Sequence, residues 1–359
     1  MDIQLTIPNT QLEGRAPVNQ ETHSQTSPPQ CPSQLARPVS ARLGSPFCIG
    51  ETSPNSFDEG LIDPKDKFEK IVDVSITLVP PIEIFDHWDT LVIAGGSMKG
   101  LSVLGAVQWL VDQNYLYGIK NYIGTSVGTL ICYLVMIGYT PIEVIANICS
   151  RKITEKLACL DINSGLSGKG AVSFNPIQEE LEKMTLEKLG TLLTMKEFYT
   201  RFGKKLICTV YNLTKNKTEY ISVDTHPDIP CITAIRMSCS LPLIFEEVKY
   251  LDSYYVDGGL VDNFPFKYAK SVGKYIIGID IKSERNAKPL FQTNMFEYLY
   301  QFMCISISSN NEKEHKVDTR LHKIINIETN AIKVFNFNIS TRDKLELFSL
   351  GYNQISQQF

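Results

Sequence analysis

From Phe68 to the last residue, short continuous apolar runs alternate with stretches whose apolar residues return at a helical period. Residues 91–96 (LVIAGG) are one such run, ending in glycines, and the LSVLGAVQWLV that begins at Leu101 has the helical pattern. Tyr122 and Ile123 close a second short strand, and 127–136 (VGTLICYLVM) is apolar enough all round for a buried helix. Pro141 opens the next helix, and 174–184 (FNPIQEELEKM) gives another, with Asn175 as its cap and Pro176 at its first position. Thr194 and Glu197 are spaced as a capping box. KKLICTVYNLT and KTEYISVD read as two strands around Lys215 and Asn216, while 274–281 (KYIIGIDI) is apolar without alternation, as a strand covered on both faces requires. This order of elements predicts an α/β fold of three layers, α/β/α, around a mostly parallel central sheet. Sheets of that kind bind ligands beyond the carboxyl ends of their strands.

The first 66 residues follow no such pattern. Nine of the eighteen prolines lie there, amid Gln, Ser and Thr. Such a segment buries too little apolar surface to offset its ordering entropy. Residues 1–66 are therefore expected to be a disordered, solvated tail, and 67–359 a single domain.

Three segments carry candidate chemistry. GTSVG (124–128) stands between a strand and a helix, the setting of a nucleophile elbow, in which the serine occupies a strained turn and Gly124 and Gly128 keep side chains out of it. Ser126 would then present its hydroxyl to a cleft, with the amides of the following helix aimed at developing negative charge. In GGSMKG (95–100), Gly95, Gly96, Ser97, Lys99 and Gly100 belong to a strand-to-helix turn that exposes successive N–H groups to a phosphate or an oxyanion. The dinucleotide fingerprint fails at Ser97, where its second glycine belongs, and a Walker A loop fails because Leu101 follows Gly100. In YYVDGGLVDNFP (254–265) an aromatic strand runs into Asp257, Gly258 and Gly259. Asp-Gly-Gly alone is a common turn; beside Ser126, Asp257 becomes a base for the hydroxyl proton, and the bare glycines admit a substrate. Asp262, just before a helix start marked by Pro265, is expected to cap that helix or complement its dipole.

In this order and at these separations, GGSMKG, GTSVG and DGG resemble the patatin-like phospholipase family. TAIRMSCSLPLIFEEV (233–248), LVDNFP and the closing FNFNISTRDKLELFSLGYNQISQQF extend the resemblance over roughly 71–359. It implies a serine acyl hydrolase with a Ser–Asp dyad, acting on lipid esters, glycerophospholipids foremost, at a membrane or micelle surface and without metal or cofactor. Ser126 matches the nucleophile and Asp257 the base. Gly95, Gly96 and Ser97 match the oxyanion hole, and Lys99 falls where the family carries Arg or Lys. Ser97 replaces the family's usual third glycine. It still offers an N–H, but a positive φ there would cost about 1 kcal/mol or more. Two other classes stand beside this reading. An α/β-hydrolase triad needs a histidine after Asp257, His315 or His322; His226 precedes it. A lipid-binding scaffold with a decayed site has only Ser97 in its favour.

Composition narrows the picture further. With 43% hydrophobic and 21% charged residues the chain suffices for one large domain plus extensions, and a formal net charge of −4 gives no reason to expect nucleic acid. Nine cysteines form no CxxC pair and no metal-ligand spacing, so they read as reduced core thiols of a cytosolic protein. MDIQLTIPNT lacks the basic and apolar regions of a secretory signal, and the longest apolar run (130–139) is short of the ~20 residues a transmembrane helix needs. The expected location is cytoplasmic, at most peripheral to membranes. DINSGLSGKGA (161–171) is either a plain surface loop or a lid at the cleft mouth, and MFEYLYQFM (295–303) reads as helical core packing in preference to a membrane-touching stripe.

Overall fold

A computed structural model of the protein describes residues 88–150, 170–282, 317–329 and 339–359. All of them fall in the unit Leu78–Phe359, the unit described below. The tail 1–66, residues 161–169 of the glycine-rich loop, the 295–303 stripe and His315 lie outside the described residues.

Eight strands form one mixed sheet: β1 (Thr90–Ile93), β2 (Asn121–Thr125), β3 (Lys205–Asn212), β4 (Lys217–Ile221), β5 (Val248–Tyr250), β6 (Ser253–Asp257), β7 (Ile276–Lys282) and β8 (His322–Glu328). Their order is β5-β6-β3-β2-β1-β7-β8, with β4 also on β3; the run β3-β2-β1-β7-β8 is parallel, and β4, β5 and β6 are antiparallel additions. The helices are α1 (Gly100–Asp112), α2 (Val127–Met136), α3 (Pro141–Ser150), α4 (Asn175–Leu189), α5 (Met195–Phe202), α6 (Cys231–Cys239), α7 (Phe266–Val272) and α8 (Thr341–Ser356).

Successive strand side chains point to opposite faces, and this sorts the core in two. Leu91, Ile93, Tyr122, Cys208, Ile277 and Ile279 join the large cluster that contains residues of α1, α2, α6 and α8. Val92, Ile123, Ile207 and Ile276 pack instead against Phe266 and Ala269 of α7. The result is the three-layer α/β/α arrangement that the sequence pattern predicts. β7 is buried on both faces over six of its seven residues, which is why its sequence carries no polar alternation.

Local signals set several boundaries. Thr194 and Glu197 make the reciprocal capping box of α5, and Ser340 with Asp343 makes a second at α8. α4 differs slightly from expectation: Phe174 is the cap residue and Asn175 is already helical, since Pro176 is equally well accommodated one position further into the first turn. Of the cysteines among the described residues, Cys132, Cys208, Cys231 and Cys239 are buried, Cys149 is half-buried, and all five are free. No single helix among the described residues is long and apolar enough to cross a membrane.

α1 and α8 cross at closest approach through two glycines. A Cβ on Gly105 would fall 1.8 Å from the Phe348 carbonyl oxygen, and one on Gly351 would fall 1.7 Å from that of Ser102. Backbone cannot swing aside as a side chain can. Gly351→Ala is therefore expected to lower the unfolding free energy by about 3 kcal/mol, read in urea melts, because the helices must separate to admit one methyl.

Candidate active site

β3 brings the candidate nucleophile and base together. β2 pairs with its first half, ending at Thr125 opposite Thr209, and β6 pairs with its second half, ending at Asp257 opposite Val210. β4 pairs with Cys208 to Asn212 on the other edge, so β2 and β6 share one edge and meet there end to end. One runs parallel to β3 and the other antiparallel, so it is their carboxyl ends that meet. Ser126 and Asp257 stand at that junction.

Ser126 has φ 55° and ψ −127°, a strained conformation for a residue with a Cβ. Its glycine neighbours are there for close approach: a Cβ on Gly124 would lie 2.4 Å from the Thr129 nitrogen, and one on Gly128 would lie 2.5 Å from the Ile93 carbonyl oxygen. The turn is held by Ser238 of α6, which is fully buried. Its hydroxyl donates to the Thr209 carbonyl (2.8 Å). Having one proton, it must accept from the Ser126 N–H (3.0 Å) and from the Thr129 hydroxyl (3.0 Å). One side chain thus ties the strained turn to β3 and to the first turn of α2.

Asp257 is buried. Gly259 donates its N–H to one carboxylate oxygen at 2.7 Å, and the Asp257 N–H donates to the Ser240 carbonyl. Burial pushes its pKa up to about 7, against the lowering effects of the Ser126 hydroxyl and the Gly259 N–H. The thiol of Cys239, also beside Ser126, is raised well above its ordinary value, first by burial and then by the Asp257 carboxylate. It stays a neutral thiol, so Ser126 has no competing thiolate.

The glycine loop leaves β1 against this junction. Asn263 clamps Gly95 twice: the Gly95 N–H donates to the Asn263 carbonyl (3.2 Å), and the Asn263 side-chain amide donates to the Gly95 carbonyl (3.1 Å). A Cβ on Gly95 would meet the Asn263 amide oxygen at 2.5 Å and the Ser126 Cβ at 3.1 Å. The Gly95 N–H is therefore already used, whereas those of Gly96 and Ser97 make no hydrogen bond among the described residues. Ser97 has φ 49°, in the left-handed region that glycine adopts without cost. Lys99 is buried at the end of a 3-10 turn, Gly100 opens α1 against Val127, and Gly258 and Gly259 form a second 3-10 turn after β6.

Asp262 departs from expectation. α7 starts after Pro265 with no side-chain cap, and the Asp262 carboxylate accepts a 2.5 Å hydrogen bond from Tyr220. Pro265, at the cap position, has no side-chain acceptor, and Asp262, three residues ahead of it, takes the half-buried hydroxyl of the tyrosine stacked on Tyr268 instead. Burial, then the Asp262 carboxylate, holds the Tyr220 hydroxyl above the usual phenol range. The two described histidines do not converge here. His322 pairs with Ile276 and so lies level with Thr90, about 16 Å along the strands from Ser126. His226 sits in the loop after β4, bonded through its backbone to Ser222. Among the described residues no cluster of His, Cys, Asp and Glu could hold a metal ion.

Sequence reading passed over Ser238, Cys239 and Asn263. Ser238 and Cys239 lie in RMSCS and Asn263 in LVDNFP, segments with no local feature to mark these side chains.

Residues 91–270 match the family model of the patatin-like phospholipases. A relative named probable lipid hydrolase 463L, from Invertebrate iridescent virus 6, is 33% identical over 189 residues, 51% of this chain and 63% of that protein. The match thus spans less than two thirds of that relative's length. Lysophospholipase NTE1 of Meyerozyma guilliermondii is 24% identical over 210 residues, 56% of this chain and 13% of that protein. Among solved structures, VipD from Legionella pneumophila aligns over 76% of this chain and 66% of its own, at 15% identity and a TM-score of 0.47.

Two substitutions test the geometry. Ser238→Ala orphans three buried groups and is expected to cost about 2–3 kcal/mol in denaturant melts. Ser97→Gly removes left-handed strain but loosens the unfolded chain, for a net gain of about 0.5 kcal/mol in the same assay.

Proposed function

The chain belongs to the patatin-like phospholipase family, and on that premise we propose that it is a lipid acyl hydrolase whose nucleophile is Ser126 and whose base is Asp257. The observation that carries this reading is the junction on β3, where a strained serine adjoins a buried carboxylate with its pKa near 7. The names of the viral and yeast relatives support a lipid ester as substrate class.

In this mechanism the Ser126 oxygen attacks the ester carbonyl as its proton passes to Asp257. The tetrahedral oxyanion is held by the N–H groups of Gly96 and Ser97, with the amino end of α2 adding its dipole. Gly95, its N–H committed to Asn263, sets the loop's position and leaves the donating to its neighbours. The C–O bond to the leaving alkoxide then breaks, and the alkoxide takes the proton from Asp257. Water, deprotonated by the same carboxylate, attacks the acyl-enzyme and releases the fatty acid and the free serine. A carboxylate is ordinarily too weak a base for a hydroxyl; burial strengthens it. In this reading no histidine takes part. His322 lies at the amino end of the sheet's parallel strands, and Gln in its place, or in place of His226 or His315, is expected to leave turnover unchanged.

Ser126→Ala and Asp257→Asn are each expected to abolish hydrolysis of a chromogenic ester, and a fluorophosphonate probe should label the wild type but not Ser126→Ala. An unlabelled, well-folded wild type would favour a decayed lipid-binding scaffold. The wild-type kcat/KM should fall as pH drops through about 7, because the base must be ionised. Stability runs the other way. The folded pKa of Asp257 lies above its unfolded value, so its stabilising contribution is full below about pH 4 and is lost as pH rises through 7. At pH 8 the folded Asp257→Asn protein should thus be more stable than the wild type, by up to about 4 kcal/mol. Melts from pH 5 to 9 would refute this if the two proteins kept a constant difference. Mass spectrometry of the products from a mixed lipid extract then identifies head group and acyl position together.

A further inference from the structure

β3 runs past the end of β2, and β6 returns along it, so both project beyond the carboxyl edge of the parallel strands. That is the edge from which a substrate reaches Ser126. From the Val210–Asp257 pair to the level of Leu213 and Tyr254 is three residues, about 10 Å. Two hairpin tips are fastened together there: the Leu213 N–H donates to the Tyr254 carbonyl (2.8 Å), and the Tyr254 N–H donates to the Thr214 hydroxyl (3.0 Å).

These tips carry apolar side chains that nothing in the fold requires. Leu251 is 74% exposed, Leu213 49% and Tyr254 42%. Leu251 is also the first of two turn residues between β5 and β6, with φ 50°, where glycine or asparagine is the ordinary occupant. Neither backbone preference nor packing selects a leucine at that position. The β3–β4 tip carries Lys215 and Lys217 and the β5–β6 tip carries Lys249, against a single carboxylate within the tips, Asp252. Lys249 lies over the Tyr254 ring, and Glu219, below the tip, steadies Lys215 and Lys217 at 3.8 and 3.2 Å. The chain as a whole is acidic, so this cationic, apolar tip is local.

We propose that the paired tips, residues 213–217 and 249–254, are the surface by which the protein docks on a lipid bilayer carrying anionic headgroups. The inference rests on the lipid-hydrolase reading above and gives that site its partner. Leucines entering the acyl boundary, a tyrosine at headgroup level and lysines against anionic lipid are the chemistry of an interfacial anchor. Apolar faces of such anchors sink about 5–10 Å, which brings the site's mouth to the headgroup region where the ester bonds lie. A second copy of this chain is the weaker occupant: it is acidic overall, and three side chains fall far short of the ~800 Å² per partner that a stable interface buries.

Partitioning is measured with the full chain as Ser126→Ala, so that vesicles survive the experiment. It should bind phosphatidylcholine–phosphatidylglycerol vesicles, bind pure phosphatidylcholine more weakly, and lose affinity as salt rises. Adding Leu213→Glu and Leu251→Glu should cut partitioning about tenfold or more. With Ser126 restored, the same pair should leave turnover of a soluble short-chain ester unchanged and slow hydrolysis of vesicle lipid to a similar degree. Undiminished partitioning of the Glu pair, or no binding of the parent to mixed vesicles, would overturn the proposal. So would a wild-type dimer in light scattering that the Glu pair dissociates. A wild type inert toward the soluble ester sinks the hydrolase reading instead, and leaves the partition result to stand by itself.

Discussion

Everything in the site depends on one edge of β3 being shared by two strands of opposite direction. A strand offers a fixed row of hydrogen-bonding groups on each edge. When β2 takes the first half of that row and β6 the second, the last residue of one is forced against the last residue of the other. Ser126 and Asp257 need no direct attraction to meet. The ladder supplies the position, and the buried apolar faces of the sheet supply the free energy that holds the ladder.

That position is costly to occupy. Ser126 and Ser97 both hold positive φ, and Asp257 gives up hydration that an exposed carboxylate would keep. Such strain persists only where the surroundings leave no alternative. Ser238 fixes the Ser126 turn through a hydroxyl whose donor and acceptor capacity are both filled, and Asn263 grips Gly95 by its N–H and its carbonyl. Neither side chain needs to touch a substrate. In the proposed mechanism their effect is to make the reactive geometry the resting geometry, so that no reorganisation is required during attack.

The antiparallel strands appended to β3 have two consequences at once. Their inner ends complete the site, and their outer ends stand clear of the parallel edge as exposed tips. A rigid β connection between a reactive centre and a surface element fixes the distance between them. If the protein docks on a bilayer as proposed, that distance decides whether the ester can be reached.

The local sequence by itself determined the elements and the candidate chemistry. Continuous apolar runs marked β1 and β7, helical periodicity marked α1, a capping box marked α5, and the glycines around Ser126 marked a turn with no room for side chains. These are properties of a few adjacent residues, and local physics suffices for them. Which distant groups would serve Ser126 was decided only by the tertiary structure. Asp262 carries the same side chain as Asp257 and lies five residues away, yet it accepts from Tyr220, because the turn after Gly258 and Gly259 carries it off the β3 edge. Ser238 and Asn263 look ordinary in sequence and became supports of the site through contacts 112 and 168 residues distant along the chain. Likewise the pKa of Asp257 is set by burial, which no short segment encodes. Hydrogen bonds and desolvation depend on what the fold brings near, and that is fixed only when the sheet is assembled.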